Sequence, residues 1–114
     1  METDVQSKIL TVFKGFKAWA FKTIASSRGG TPDVIACMPV TRDEMISLFN
    51  ERDTVGLFVA IEVKDSNKPA KGRKLQEVQM RRIREVGGIT LVANDPQQVK
   101  ALLYEIKNGQ GKNK

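Results

Sequence analysis

Apolar positions near the start of the chain recur at helical spacing. Val5, Ile9, Val12, Phe13 and Phe16 share one face of a 3.6-residue period. The spacing predicts a helix over 3–16 with Thr3 as its N-cap. The pattern then turns to alternation: "KAWAFKTI", residues 17–24, sets Trp19 and Phe21 on one side of a strand. "SSRGGTP" interrupts it with Gly-Gly and Pro and reads as a turn or loop. "DVIACM" follows, apolar on both faces, as in a strand central to a sheet. Residues 39–56 keep no clean period. A short helix fits 43–49, and the whole segment reads as a connection between two strands, longer than a hairpin needs.

Alternation returns in "LFVAIEVK", residues 57–64. Leu57, Val59, Ile61 and Val63 share one face, and Phe58, Ala60, Glu62 and Lys64 share the other. A polar, basic loop, "DSNKPAKGRK", leads to a helix over 74–86 with Leu75, Val78, Ile83 and Val86 at helical spacing, closed by Gly87 and Gly88. "ITLVA" is a fourth strand. A last helix takes Asp95 as N-cap and Pro96 in its first turn, and expects Val99, Leu102, Leu103 and Ile106 on its buried stripe. The order α-β-β-β-α-β-α predicts an α/β layer structure with a mixed four-stranded sheet. It forms one domain over 1–108, followed by a disordered basic tail over 109–114.

Composition narrows the function. A chain of 114 residues supports one modest core. The net charge is +6, which makes a polyanion a plausible partner, nucleic acid ahead of an acidic membrane. The charge is concentrated: Lys68, Lys71, Arg73, Lys74, Arg81, Arg82 and Arg84 face only Asp65 and Glu77 between residues 65 and 84. No apolar run is long enough to span a membrane, and the first residues lack the apolar stretch of a signal peptide. A single cysteine, Cys37, makes no internal disulfide. These features fit a reducing cytoplasm and do not distinguish viral, bacterial and eukaryotic interiors. With no histidine in the chain, Ser-His-Asp catalysis and a histidine general base are excluded. Phosphate-loop and dinucleotide fingerprints are absent.

What remains is carboxylate, lysine and metal chemistry. Glu62 and Lys64 lie two residues apart on a strand and point the same way. A neighbouring strand that sets Asp33 beside them would bring two carboxylates and an ammonium together. Close carboxylates repel unless a cation sits between them. With oxygen donors alone, that cation is Mg²⁺ or Mn²⁺, and a phosphodiester is the natural substrate. The same spacing equally describes an exposed ion pair at a strand end, with Asp33 only capping the Pro32 turn.

"GGTPDVIAC", "FVAIEVK" and "KLQEVQMRRIREVGGITLV", in that order, resemble the VRR-NUC family of the PD-(D/E)XK nuclease superfamily, over almost the whole chain. The resemblance implies an αβββαβ core with a C-terminal helix. It implies Asp33 and Glu62 as metal ligands with the carbonyl of Val63, and Lys64 as the catalytic lysine. Gln76 would lie near the site, with Gln79 as a competing position, and Glu2 would match an acid early in the first helix that serves a second metal. The Lys68, Lys71, Arg73 and Lys74 loop, with Arg28 and Gly30 beside Asp33, would meet the DNA backbone. Stand-alone members of this family are phage-type proteins, and the resemblance implies a homodimer that cuts branched DNA such as four-way junctions in a bacterial or phage-infected host cell. The long 41–56 link departs from the family's short turn. The few aromatics read as core, not as a platform for single-strand stacking.

Overall fold

The computed structural model describes the backbone of residues 2–23, 30, 32–64 and 73–108, and the side chains of these residues except 2–4 and 73. It is mixed α/β. The elements run α1 (Glu2–Gly15), β1 (Trp19–Lys22), β2 (Val34–Cys37), α2 (Arg42–Phe49), β3 (Val59–Val63), α3 (Arg73–Glu85), β4 (Ile89–Ala93) and α4 (Pro96–Lys107). The expected element order holds, with the 41–56 link contributing α2. Its helix starts where Thr41 and Glu44 cap each other: the Thr41 hydroxyl accepts from the Glu44 N–H, and the Glu44 carboxylate accepts from the Thr41 N–H. That reciprocal arrangement satisfies two amides a helix start would otherwise leave open.

The sheet differs from the expectation. The described strands form two separate two-stranded sheets, not a mixed sheet of four. β1 and β2 pair antiparallel with Trp19 opposite Cys37 and Lys22 opposite Val34. β3 and β4 pair parallel with Val59 opposite Ile89 and Val63 opposite Ala93. Chain connectivity explains the split. A parallel pair is joined by a crossover helix that also packs on it, and α3 does this for β3 and β4. β2 and β3 are joined only through the long link containing α2, which carries no backbone ladder between them.

The two sheets meet at one end. The Phe58 carbonyl accepts from the Ile89 N–H at 2.9 Å, so β3 and β4 begin together. The Trp19 ring packs edge-on to Phe58 with centroids 5.5 Å apart, and its Nε1–H donates to Gln79 Oε1 of α3 at 2.9 Å. A Cβ built on Gly88 would lie 3.2 Å from Cys37 Sγ and 2.5 Å from Ile83 Cγ2. Glycine is therefore what lets β2 approach the start of β4. Gly87 adopts φ 96° and closes α3 in the predicted way: its N–H bonds the Arg84 carbonyl and that of Gly88 bonds the Ile83 carbonyl, the paired bonds of a Schellman end.

The same closure ends α1, with Lys17 in the left-handed position at φ 62° and N–H groups of Lys17 and Ala18 bonded to the carbonyls of Lys14 and Phe13. This shortens the expected strand to Trp19–Lys22. Helix α1 begins at Glu2, so Thr3 lies inside it and is not its cap. α4 starts as expected, with Asp95 accepting from the Gln97 N–H and Pro96 in the first turn. The buried side chains among those described are Cys37, Met80, Ile83 and Ala93. Leu103 is exposed, so the stripe of α4 narrows to the half-buried Val99, Leu102 and Ile106. The apolar face expected of the first helix is largely open: Val5, Ile9, Val12 and Phe16 are exposed, and of that face Phe13 is half-buried, as is Leu10 beside it. Among the described residues no helix is long and apolar enough to cross a membrane.

Candidate metal and nucleic-acid site

The hairpin holds Asp33 at its open end. The Asp33 carbonyl accepts from the Thr23 N–H at 3.0 Å, and the Pro32 carbonyl accepts from the Thr23 hydroxyl. The first bond extends the β1–β2 ladder one step, the second ties the Thr23 side chain to the turn, and the Asp33 side chain stays exposed. Gly30 precedes it at φ 87°, a backbone region that side chains with a Cβ avoid.

The second carboxylate lies in the other sheet. Glu62 is half-buried in β3 opposite Val92. Val63 and Lys64 follow, both exposed, and the Lys64 N–H continues the ladder to the Ala93 carbonyl at 2.8 Å. Burial does not alternate along this strand: Val59 to Glu62 are half-buried and Val63 and Lys64 exposed, with the charged residues at the C-terminal end. Parallel pairing to β4 fixes that end in place, since each residue from Val59 to Val63 has a register partner.

Gln76 is half-buried near the start of α3. Its competitor Gln79 is taken up structurally, as the acceptor for the Trp19 indole. Lys74 is exposed in the first turn of α3, and Arg73 opens that helix. Arg28, Lys68, Lys71, the 109–114 tail and the side chains of Glu2 and Arg73 lie outside the described residues.

Glu62, Val63 and Lys64 thus share one strand end, and Gln76 lies on the helix packed against that strand and its neighbour. Asp33 is held separately. β2 runs toward the joint at Cys37 and Gly88, whereas β3 runs away from it, so Asp33 and Glu62 each sit about four residues from the joint. The β2–β3 ladder that would set them side by side is absent among the described residues. Those residues contain no group of three or more His, Cys, Asp and Glu side chains placed to hold a metal. A site of two carboxylates and one backbone carbonyl has fewer such side chains and falls below that count. Its oxygen-only donor set fits a hard divalent cation by chemistry.

One surface was not legible from the sequence. Trp19 and Phe21 pack ring to ring, centroids 5.0 Å apart, but Phe21 is 42% exposed. They line an open groove together with Leu10, Lys14, Lys17 and Arg82. The signal was the clustering of Lys14, Lys17 and Lys22 around the two rings.

No protein-family model matches the chain, and no curated protein or solved structure is significantly similar to it. The geometry defines a mixed α/β protein with a charged strand end and a basic, partly aromatic groove.

Proposed function

We propose that the chain is a metal-dependent DNA endonuclease of the VRR-NUC type within the PD-(D/E)XK superfamily, acting on branched DNA such as a four-way junction. The observation that carries this reading is the placement of Glu62, Val63 and Lys64 at the C-terminal end of a strand whose crossover helix bears Gln76. Asp33, Glu62 and the Val63 carbonyl would hold Mg²⁺ or Mn²⁺, with Glu2 near a second ion. The bound metal supplies Lewis acidity toward a phosphate oxygen. The exposed Lys64 ammonium orients the attacking water and offsets charge gathering on the phosphorus. Gln76 donates to the substrate phosphate. Lys68, Lys71, Arg73 and Lys74, together with Arg28 and Gly30, contact the DNA backbone without reading its sequence.

A second reading is a nucleic-acid-binding protein that keeps the fold without cutting. The separation of Asp33 and Glu62 into two sheets favours it. Cleavage of labelled junction, flap, duplex and single-stranded DNA separates the two. The nuclease reading expects cutting with Mg²⁺ or Mn²⁺ and none with EDTA. It expects loss of cutting in Asp33→Ala and Glu62→Ala, and loss of most of the rate in Lys64→Ala. Binding without cutting under every metal condition favours the second reading.

The partner in this reading is a second copy. Val5, Ile9 and Val12 on α1, with Phe16 just past its end, form an exposed stripe at four- and three-residue steps, the spacing by which helices pair. Antiparallel pairing of two α1 helices about a two-fold axis sets the acidic start, Glu2 and Asp4, toward the Lys14 end of the other copy. Sedimentation should show a dimer that Ile9→Glu with Val12→Glu converts to a monomer. A dimer that persists in the double variant removes α1 from the interface.

A further inference from the structure

We infer that the groove between α1, β1 and α3 binds a single-stranded stretch of nucleic acid, with a base against the Phe21 ring and phosphates on Lys14, Lys17 and Arg82. The open groove has a volume of about 790 Å³, room for a nucleotide. Its floor is fixed. The Trp19 indole is held by its hydrogen bond to Gln79 and by Phe58 at its edge, and Phe21 packs on it at 57°. Phe21 therefore rests on a rigid support while much of its ring faces outward. Such a ring accepts any base by its π-face.

The rim supplies the charge. Lys14 and Lys17 come from the end of α1, and Arg82 comes from α3 across the groove, against one carboxylate, Glu85. Cations on both walls of an aromatic floor match a strand carrying one charge per nucleotide. An apolar protein segment would meet the same floor, but it would have to bring acids to both walls. The stretches 24–29, 65–72 and 109–114 of this chain each carry a net positive charge, the wrong sign for these walls.

Position links the groove to the proposed site. Gln76, Gln79 and Arg82 follow one another at three-residue steps along α3, so the helix leads from the β3 strand end into the groove over about 9 Å. This deepens the nuclease reading and rests on it for its role: a single-stranded arm of branched DNA would be gripped beside the cutting site. The binding itself requires no metal.

The test uses the full chain in EDTA with fluorescein-labelled dT12. Anisotropy gives the affinity, and emission of Trp19, the only tryptophan in the chain, reports occupancy of the groove. Saturable binding with a matching change in Trp19 emission is expected. Phe21→Leu keeps an apolar side chain and removes the ring, and should weaken binding about fivefold or more. Lys14→Glu with Arg82→Glu should weaken it about tenfold or more and flatten its salt dependence. All substituted side chains are exposed, and circular dichroism checks the fold of each variant. Wild-type affinity in either variant overturns the proposal. So does displacement of dT12 by an acidic amphipathic peptide that binds Phe21→Leu as well as wild type. If wild type cuts no DNA with Mn²⁺ but the groove variants lose dT12, the nuclease reading fails and the groove stands. Cutting by wild type with unaltered dT12 binding in the variants is the reverse case.

Discussion

The two halves of the molecule use strands of similar length but bury very different amounts. β3 and β4 have five residues each, and β1 and β2 have four. Met80, Ile83 and Ala93, three of the buried side chains among those described, belong to the β3–α3–β4 half, and the hairpin contributes Cys37. The difference follows from how the strands are joined. Parallel strands require a crossover, and here the crossover is a helix that covers the sheet it connects. An antiparallel pair requires only a turn, so its cover must come from elsewhere. α1 supplies that cover in part, through Leu10 and Phe13, and leaves Val5, Ile9, Val12 and Phe16 outside. The covered half presents the strand end with Glu62 and Lys64. The open half leaves an apolar stripe of α1 exposed and forms, together with α3, the groove at Trp19 and Phe21.

The joint between the halves is the most sensitive place to break this arrangement. Gly88→Ala puts a methyl group into Ile83 Cγ2 and against Cys37 Sγ. The added atom must push α3 or β2 away, at a cost of about 1–3 kcal/mol. Adding Ile83→Leu removes the Cγ2 branch and should recover part of that loss. Denaturant midpoints of the two single variants and the double give the coupling directly. Additive losses would mean that the contact with Ile83 is not what makes glycine necessary.

A smaller effect of opposite sign is expected at the end of α1. Lys17 occupies a left-handed position that a side chain disfavours by about 1 kcal/mol or more, while Gly15 spends its flexibility inside the helix. A Cβ on Gly15 meets nothing within 4 Å. Lys17→Gly and Gly15→Ala should therefore each stabilise by about 0.5–1 kcal/mol, or a few degrees in Tm. Lys17→Gly also removes one cation of the groove, so dT12 affinity should fall as stability rises. Loss of stability in Gly15→Ala would show that the hairpin half is limited by something other than this helix end.

The halves also differ in how far the sequence foretold them. The βαβ half was legible because its signals are local. The run from Leu57 to Lys64 marked β3 and its charged end, Gly87 and Gly88 marked the end of α3, and Asp95 with Pro96 marked the start of α4. Thr41 and Glu44 carried an equally local capping signature for α2, which the 43–49 spacing captured only in part. Periodicity in α1 told which residues share a face but not whether anything covers it. Whether Asp33 meets Glu62 depends on β2 pairing with β3, a non-local contact across a long link, and no spacing within either strand encodes it. The groove was missed for a related reason: aromatic residues on a strand read as core until the structure shows which side is left open.

Cys37 offers the finest probe of the joint, and the smallest expected effect. Burial against the start of β4 pushes its thiol above the ordinary value, because the thiolate would lose its hydration there. The thiol is neutral when protonated. At neutral pH both the folded and unfolded chains keep the proton, and the group leaves stability unaffected. As pH rises past the ordinary thiol value, the unfolded chain loses its proton first, which draws the equilibrium toward unfolding. Stability should fall from that pH until the folded thiol also ionises, and then level off. Other groups titrate in the same range, so the informative quantity is the difference between wild type and Cys37→Ala, from denaturant midpoints at neutral pH and above the free thiol's value. The wild type should lose more stability than the variant over that interval. An equal loss would mean that the thiol is as well solvated folded as unfolded, and that the joint opens far more readily than the close approach of Cys37 to Gly88 requires.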